Sequence, residues 1–289
     1  MNNELIYTKA PHIHSCRTVT GIRTDFLIAL APAAVMSVIT KGSRCILILL
    51  ISIVTAMAMD MLLELTLGKT AASTSNLPRR VSIIDNLLEA AATGAAFALL
   101  LPYRIPLWLA AVGAFTTVIL FKRLIGFTGR SRLNPAAGAY LIIACILPAV
   151  GISGAGMTMS ICADTAPALA LGFIYLALRR VIQLRLPLLF VLAFLLAASI
   201  SSSFGASSEP FTAMSGSLIL TAAFIAPAYA SSPVTPAGKA VFGICGGLLA
   251  FLLAARLEFE AALSLAVIIM NILSPFIERL TIPKSRRNN

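Results

Sequence analysis

CILILLISIVTAMAMDMLLELTLG, residues 45–68, decides the class of the fold. Fifteen residues pass before its first charge, Asp60, and only Glu64 follows. A helix that crosses the hydrocarbon core of a bilayer needs roughly 20 predominantly apolar residues, and this stretch supplies them. It is not isolated. Of 289 residues, 59% are hydrophobic and 11% charged, and the mean hydropathy is +0.95. A soluble domain is about 25% charged. Lipid offers no partner to an open backbone group, so the spans are expected to be helices. A β-barrel would need alternating hydrophobicity, and the runs show none. The expected fold is all-α and polytopic.

Ten candidate spans lie near 25–41, 45–68, 84–101, 105–121, 135–149, 165–178, 186–203, 213–229, 239–255 and 260–279. Several are short or broken by Gly and Pro, as helices are where they stop at a site inside a membrane. The chain reads as one integral membrane domain, 1–289, with a polar N-terminal segment (1–24) and a basic tail (280–289). No stretch is long enough for a soluble domain, so soluble redox or nucleotide-binding chemistry would have to come from partners.

Charge placement orients the chain. The net charge of +11 invites a nucleic-acid reading, but the basic residues sit between apolar spans, where topology signals sit. If the N-terminus is inside, eighteen Lys and Arg fall on that side and four (Lys41, Arg44, Arg104 and Arg256) on the other. Basic residues accumulate on the cytoplasmic side. Both termini are therefore expected inside and the loop 150–164 outside. The five cysteines form no CxxC pair and no metal-ligand spacing. His12 and His14 lack neighbouring ligands and read as part of a surface segment on the cytoplasmic face, so no metal site is expected.

Three regions carry polar chemistry. In GFTGRSRLNPAAGAY (126–140), Asn134 is placed to cap a helix opened by Pro135. Such helix starts gather free N–H groups that suit an anionic or carbonyl-bearing ligand, although a plain cap has the same signature. SSPVTPAGKAVFG (231–243) repeats the device at Thr235-Pro236, an echo compatible with two related halves. Asp60 and Glu64, and Glu89 in DNLLEAAATGAAFALLLP (85–102), put carboxylates toward span ends. Two readings stand for them, interfacial anchoring or a cation path.

Taken in order, APHIHSCRTV, ATGAAFALLLP, LIGFTGRSRLNPAAGAY, ADTAPALALGFIYLALRRVI, PFTAMSGSLILTAAFIA, SPVTPAGKAVFG and VIIMNILSPFIERLTIP resemble the RnfD/NqrB family along nearly the whole chain. Members are membrane subunits of the Rnf complex and of the Na⁺-translocating NADH:quinone reductase. The resemblance implies a subunit of the bacterial inner membrane. It would help couple electron transfer (ferredoxin/NAD or NADH/quinone) to Na⁺ or H⁺ transport, and act only with the other subunits. It also implies FMN, joined to a threonine in an external S/T-G-A-T loop, and riboflavin in some members. Here that loop reads Ser153-Gly154-Ala155-Gly156, so the acceptor position holds glycine. Thr158, two residues later, is the nearest threonine, and Ser153 and Ser160 flank it. Glu89 stands where the family tends to have Ser, and AYASSPVTP lacks the family's Asp. The alternative is a flavin-free, transporter-like or assembly protein on the same scaffold.

Overall fold

A computed structural model describes residues 18–71, 79–124, 133–151, 160–203, 215–228 and 231–282. His12, His14, Ser153, Gly156 and Thr158 lie outside the described residues. The described chain forms ten helical segments. They are α1 (Val19–Lys41), α2 (Arg44–Ala71), α3 (Arg79–Leu100), α4 (Leu107–Thr116), α5 (Pro135–Ile146), α6 (Ala166–Leu178), α7 (Arg185–Ser203), α8 (Ser215–Leu220), α9 (Pro236–Ala254) and α10 (Phe259–Thr281). Each matches one expected span. Among the described residues the only β pairing is an isolated bridge between Pro102 and Ser160.

Six of these helices are long and apolar enough to cross a membrane. The other four segments, Leu107–Lys122, Pro135–Val150, Ala166–Leu178 and Gly216–Ile225, are shorter. Two of the short ones finish in π-helical turns, Thr117–Leu124 after α4 and Thr221–Ile225 after α8. α5 finishes in a 3₁₀ turn, Leu147–Val150. Irregular backbone at membrane depth is tolerated where protein surrounds it. That condition holds for Thr221, Ala222, Ala223, Phe224 and Ile225, which are all buried.

Burial separates core helices from peripheral ones. α10 and α3 bury 61% and 56% of their apolar windows, against 28–33% for α1, α2, α7 and α9. The peripheral helices expose Leu47, Leu50 and Val54 on α2 and Leu188, Leu192 and Leu195 on α7. On a membrane protein such a face is the lipid face, since lipid tails are as apolar as leucine.

Helices alternate in direction. The near end, where α1 starts, is tied by Asp25 of α1 to Arg179 after α6, and by Thr235 before α9 to Thr281 of α10. The far end is tied by Lys41 to Asp164 and by Arg44 to the Ile105 carbonyl. Five helices precede the 151–165 connection and five follow it. Between the two sets, α1 packs on α6 and α5 packs on α10. Each of these helices meets the one at its own place in the other set. α5 and α9, which share the Asn/Thr-Pro start, are not counterparts in this scheme. Both starts use a side-chain cap followed by proline.

Small residues let the sets approach. At Gly172 of α6 an added Cβ would run into the Ala29 carbonyl of α1. Within the second set, at Gly247 of α9 it would meet the Phe190 carbonyl of α7. Helices in lipid associate through such close backbone contact.

Candidate functional site

Near-end polar residues collect where α1, α2, α3 and the turn after α4 converge. Lys122, on the π-helical turn, places its Nζ 3.0 Å from Asp60 Oδ2 and 3.6 Å from Glu89 Oε2. Arg23 Nη2 reaches the same Glu89 oxygen at 2.8 Å. Asn86 donates to Glu64 Oε2 at 3.2 Å, and Thr20 donates to Asp85 Oδ1 at 2.6 Å. The three carboxylates singled out in the sequence, Asp60, Glu64 and Glu89, thus gather in one region. Their surroundings differ. Glu89 is about one-third exposed, whereas Asp60 is 1% exposed. Asp60 therefore does not reach water at the interface; it is sealed inside and neutralised by Lys122. A buried carboxylate needs such a partner, because an uncompensated buried charge costs several kcal/mol.

Two further near-end sites involve the capping residues. Asn134 accepts at Oδ1 from the N–H groups of Ala136 (3.0 Å) and Ala137 (3.3 Å), and its Nδ2 donates to the Ile225 carbonyl at 2.7 Å. Oxygen and nitrogen are both committed, and the residue ties the start of α5 to the π turn that ends α8. Thr235 Oγ1 accepts from Gly238 N–H at 3.0 Å and pairs with Thr281 Oγ1 at 2.6 Å. Beside it, Arg180, Gln183, Leu186, Pro233 and Lys239 line a shallow basic cleft. Asp25, not singled out in the sequence, accepts from Tyr175 (2.9 Å) and from Arg179 Nη2 (3.1 Å).

The far end is built differently. α3 stops with Leu99, Leu100 and Leu101 fully buried. Residues 160–163 run along that broken end: Ile161 N–H donates to the Leu101 carbonyl and Cys162 N–H to the Leu99 carbonyl. The start of α8 closes on the same segment, with Gly216 N–H donating to the Ala163 carbonyl. Lys41 Nζ donates to the Ser160 carbonyl at 2.6 Å. Inside this junction Ser160 Oγ pairs with Ser217 Oγ (2.9 Å), and Ser217 donates to Glu260 Oε1 (3.0 Å). Cys162 Sγ lies 3.6 Å from Ser217 Oγ, and burial pushes its thiol up to about 12, so it takes part as a neutral group. Glu260 is fully buried.

Glu260 escapes notice in the sequence because it stands at a span boundary, close to Glu258, where a carboxylate reads as an edge residue. The available signal was the spacing of Glu260, Ser264, Asn271 and Ser274, polar side chains recurring on one face of an otherwise apolar helix. Ser153 and Thr158, the loop residues considered for a flavin, lie outside the described residues.

Comparison with known proteins follows the whole chain. The model of the NQR2, RnfD, RnfE family matches residues 6–154 and 148–287. The D-type subunit of the Na⁺-translocating ferredoxin:NAD⁺ oxidoreductase complex of Acetobacterium woodii is 25% identical, over 96% of this chain and 95% of its own length. The D-type subunit of the proton-translocating ferredoxin:NAD⁺ oxidoreductase complex of Clostridium ljungdahlii is 22% identical over 97% and 96%. Its counterpart in the ion-translocating oxidoreductase complex of Methanosarcina acetivorans is 25% identical over 95% and 94%. With matches that span both halves end to end, the chain belongs to the NQR2, RnfD, RnfE family.

Proposed function

We propose that this protein is the D-type membrane subunit of an Rnf-like complex, where it helps couple electron transfer (ferredoxin/NAD or NADH/quinone) to Na⁺ or H⁺ movement. The observation that carries the reading is the end-to-end match to D-type subunits, covering at least 94% of each, from Acetobacterium woodii, Clostridium ljungdahlii and Methanosarcina acetivorans. The relatives include one named for Na⁺ and one named for protons. The buried charges of this chain suit a protein handling either ion, because ionisable groups inside a bilayer are costly and collect on ion pathways. Redox activity belongs to the assembled complex.

FMN is the cofactor the family implies, with riboflavin in some members. A flavin supplies one- and two-electron transfer when bound, and the protein supplies its position and electrostatics. The attachment chemistry does not fit here at the family's position: Gly156 has no hydroxyl and cannot form a phosphoester. We therefore route no step through a covalent flavin. Thr158 is the fallback acceptor, with Ser153 five residues before it in sequence. Gly156→Thr restores the S-G-A-T sequence and, with the attaching enzyme present, should create flavin fluorescence on a denaturing gel. If Gly156→Thr stays dark, a flavin-free member acting as a transporter or assembly subunit becomes the better reading, and Gly156 is the residue that favours it.

The membrane is the bacterial inner membrane in this reading, and the eighteen-to-four split of basic residues supports cytoplasmic positions for both termini. Reporters fused at Gly154 and Asn289 should then report opposite sides. The decisive experiment is purification of the tagged chain from its own membranes. Co-purification with redox-active subunits that drive ion uptake into vesicles is the expected result. A chain recovered without any redox-active partner overturns the assignment.

A further inference from the structure

Glu260 lies apart from the near-end network, and its setting is unlike that of any other carboxylate among the described residues. It is fully buried, yet no Lys, Arg or His among the described residues pairs with it. Ser217 satisfies Oε1, and Oε2 has no hydrogen-bond partner. The groups facing it are known. Tyr140 comes from α5 and Ser217 from α8. Ser160 and Cys162 come from the 160–163 segment and Glu258 from the start of its own helix. The neighbouring cation, Lys41, is engaged with the Ser160 carbonyl and Asp164. A bare negative charge in such a place costs several kcal/mol. The carboxylate must therefore hold a positive charge.

Unsatisfied polar atoms continue away from it. Ser264 Oγ and both side-chain polar atoms of Asn271 are buried without partners on the same face of α10. Tyr140 Oη on α5 and Thr221 Oγ1 on the π turn after α8 are buried without partners on two of the elements that pack against α10. Native proteins leave few buried polar groups unpaired, and each one calls for a reason. At 1.5 Å per residue, Glu260 to Asn271 covers about 16 Å of helix axis, more than half the roughly 30 Å hydrocarbon core.

We infer that Glu260 is the far-end loading site for one positive charge, a proton or a sodium ion, and that the polar face of α10 with Tyr140 and Thr221 is its route toward the near end. Loading adds a proton to the free Oε2, or lets the carboxylate and neighbouring hydroxyls ligate sodium. Release reverses it. The inference rests on the ion-translocating reading and names the residue that handles the ion.

Dicyclohexylcarbodiimide, which modifies protonated carboxyls in apolar surroundings, tests this on native membranes. Mass spectrometry of the full chain should find the adduct on Glu260, falling as pH rises and lost in Glu260→Gln. Protection by Na⁺ and not by K⁺ identifies sodium as the occupant; dependence on pH alone identifies the proton. In vesicles bearing the complex, Glu260→Gln should abolish ion uptake, and Glu260→Asp should restore part of it. Asn271→Leu should reduce uptake while leaving the Glu260 adduct in place. An intact complex with no adduct at any pH, or one in which Glu260→Gln takes up ions like the native protein, overturns the inference. A chain that carries the adduct but purifies without redox partners overturns the subunit assignment instead.

Discussion

At the near end Asp60 is 1% exposed and meets the Lys122 ammonium at 3.0 Å; at the far end Glu260 is 0% exposed and meets the Ser217 hydroxyl at 3.0 Å. The two carboxylates are equally buried and differ in who compensates them. Asp60 is neutralised by a fixed charge from the chain itself, which holds α2 against the turn after α4. Glu260 has only neutral hydrogen-bond partners, and in the inference drawn above its compensation is a bound proton or sodium ion. The near end is where charge holds the fold together. The far end is where the fold, held by backbone contacts, leaves a charge position open.

The largest effect that would break this contrast is at Lys122. Lys122→Met leaves Asp60 buried without its ammonium, which costs about 3–5 kcal/mol. Thermal unfolding of the purified protein should show a marked loss, and Asp60→Asn added to Lys122→Met should recover most of it. Glu260→Gln should stay within about 1 kcal/mol of the native protein, because the amide oxygen still accepts from Ser217. Equal destabilisation by Lys122→Met and Glu260→Gln would erase the distinction between the two ends.

A second test asks whether backbone fit holds the far end. Gly216→Ala places a methyl against the Cys162 carbonyl. Overpacking of this kind costs about 1–3 kcal/mol. The start of α8 should shift off residues 160–163, and a nitroxide pair spanning the two segments should report a longer distance. An unchanged distance would mean the junction is looser than described.

The smallest effect is at the helix start. Asn134→Leu removes the cap of α5 and the bond to Ile225, a loss of about 1–2 kcal/mol. Ile142→Leu on the same helix should be nearly neutral. Similar melting for both variants would make Asn134 an ordinary surface cap.

Much of this was open to reading from residues alone, and the reasons are physical. Apolar length located all ten helical segments, since lipid enforces it on every span. Asn134-Pro135 and Thr235-Pro236 declared their helix starts because capping chemistry is local. Asp60, Glu64 and Glu89 stood out as carboxylates near spans, but position along a helix does not reveal which face is buried. Asp60 therefore looked able to reach the interface when it is sealed against Lys122. Lys122 counted as a topology charge because its π turn, which brings it inward, has no residue signature. Glu260 was passed over for a similar reason. Whether a carboxylate near a span end meets water or protein depends on the 160–163 segment and α8, which are distant in sequence.

The broken end of α3 has a consequence for how the protein is made. The Leu99 and Leu101 carbonyls wait for N–H groups at Cys162 and Ile161, about sixty residues later, and the π turn at Ile225 is met by Asn134, ninety-one residues earlier. At translation rates of roughly 5–20 residues per second, α3 spends on the order of 3–12 seconds in or beside the membrane before its last turn can be satisfied. During that interval the first five helices are an unfinished surface. Wetting of that end, or shelter by the insertion machinery, must bridge the gap. A chain truncated before residue 160 is then expected to be a substrate for membrane quality control even though five of its helices are already present.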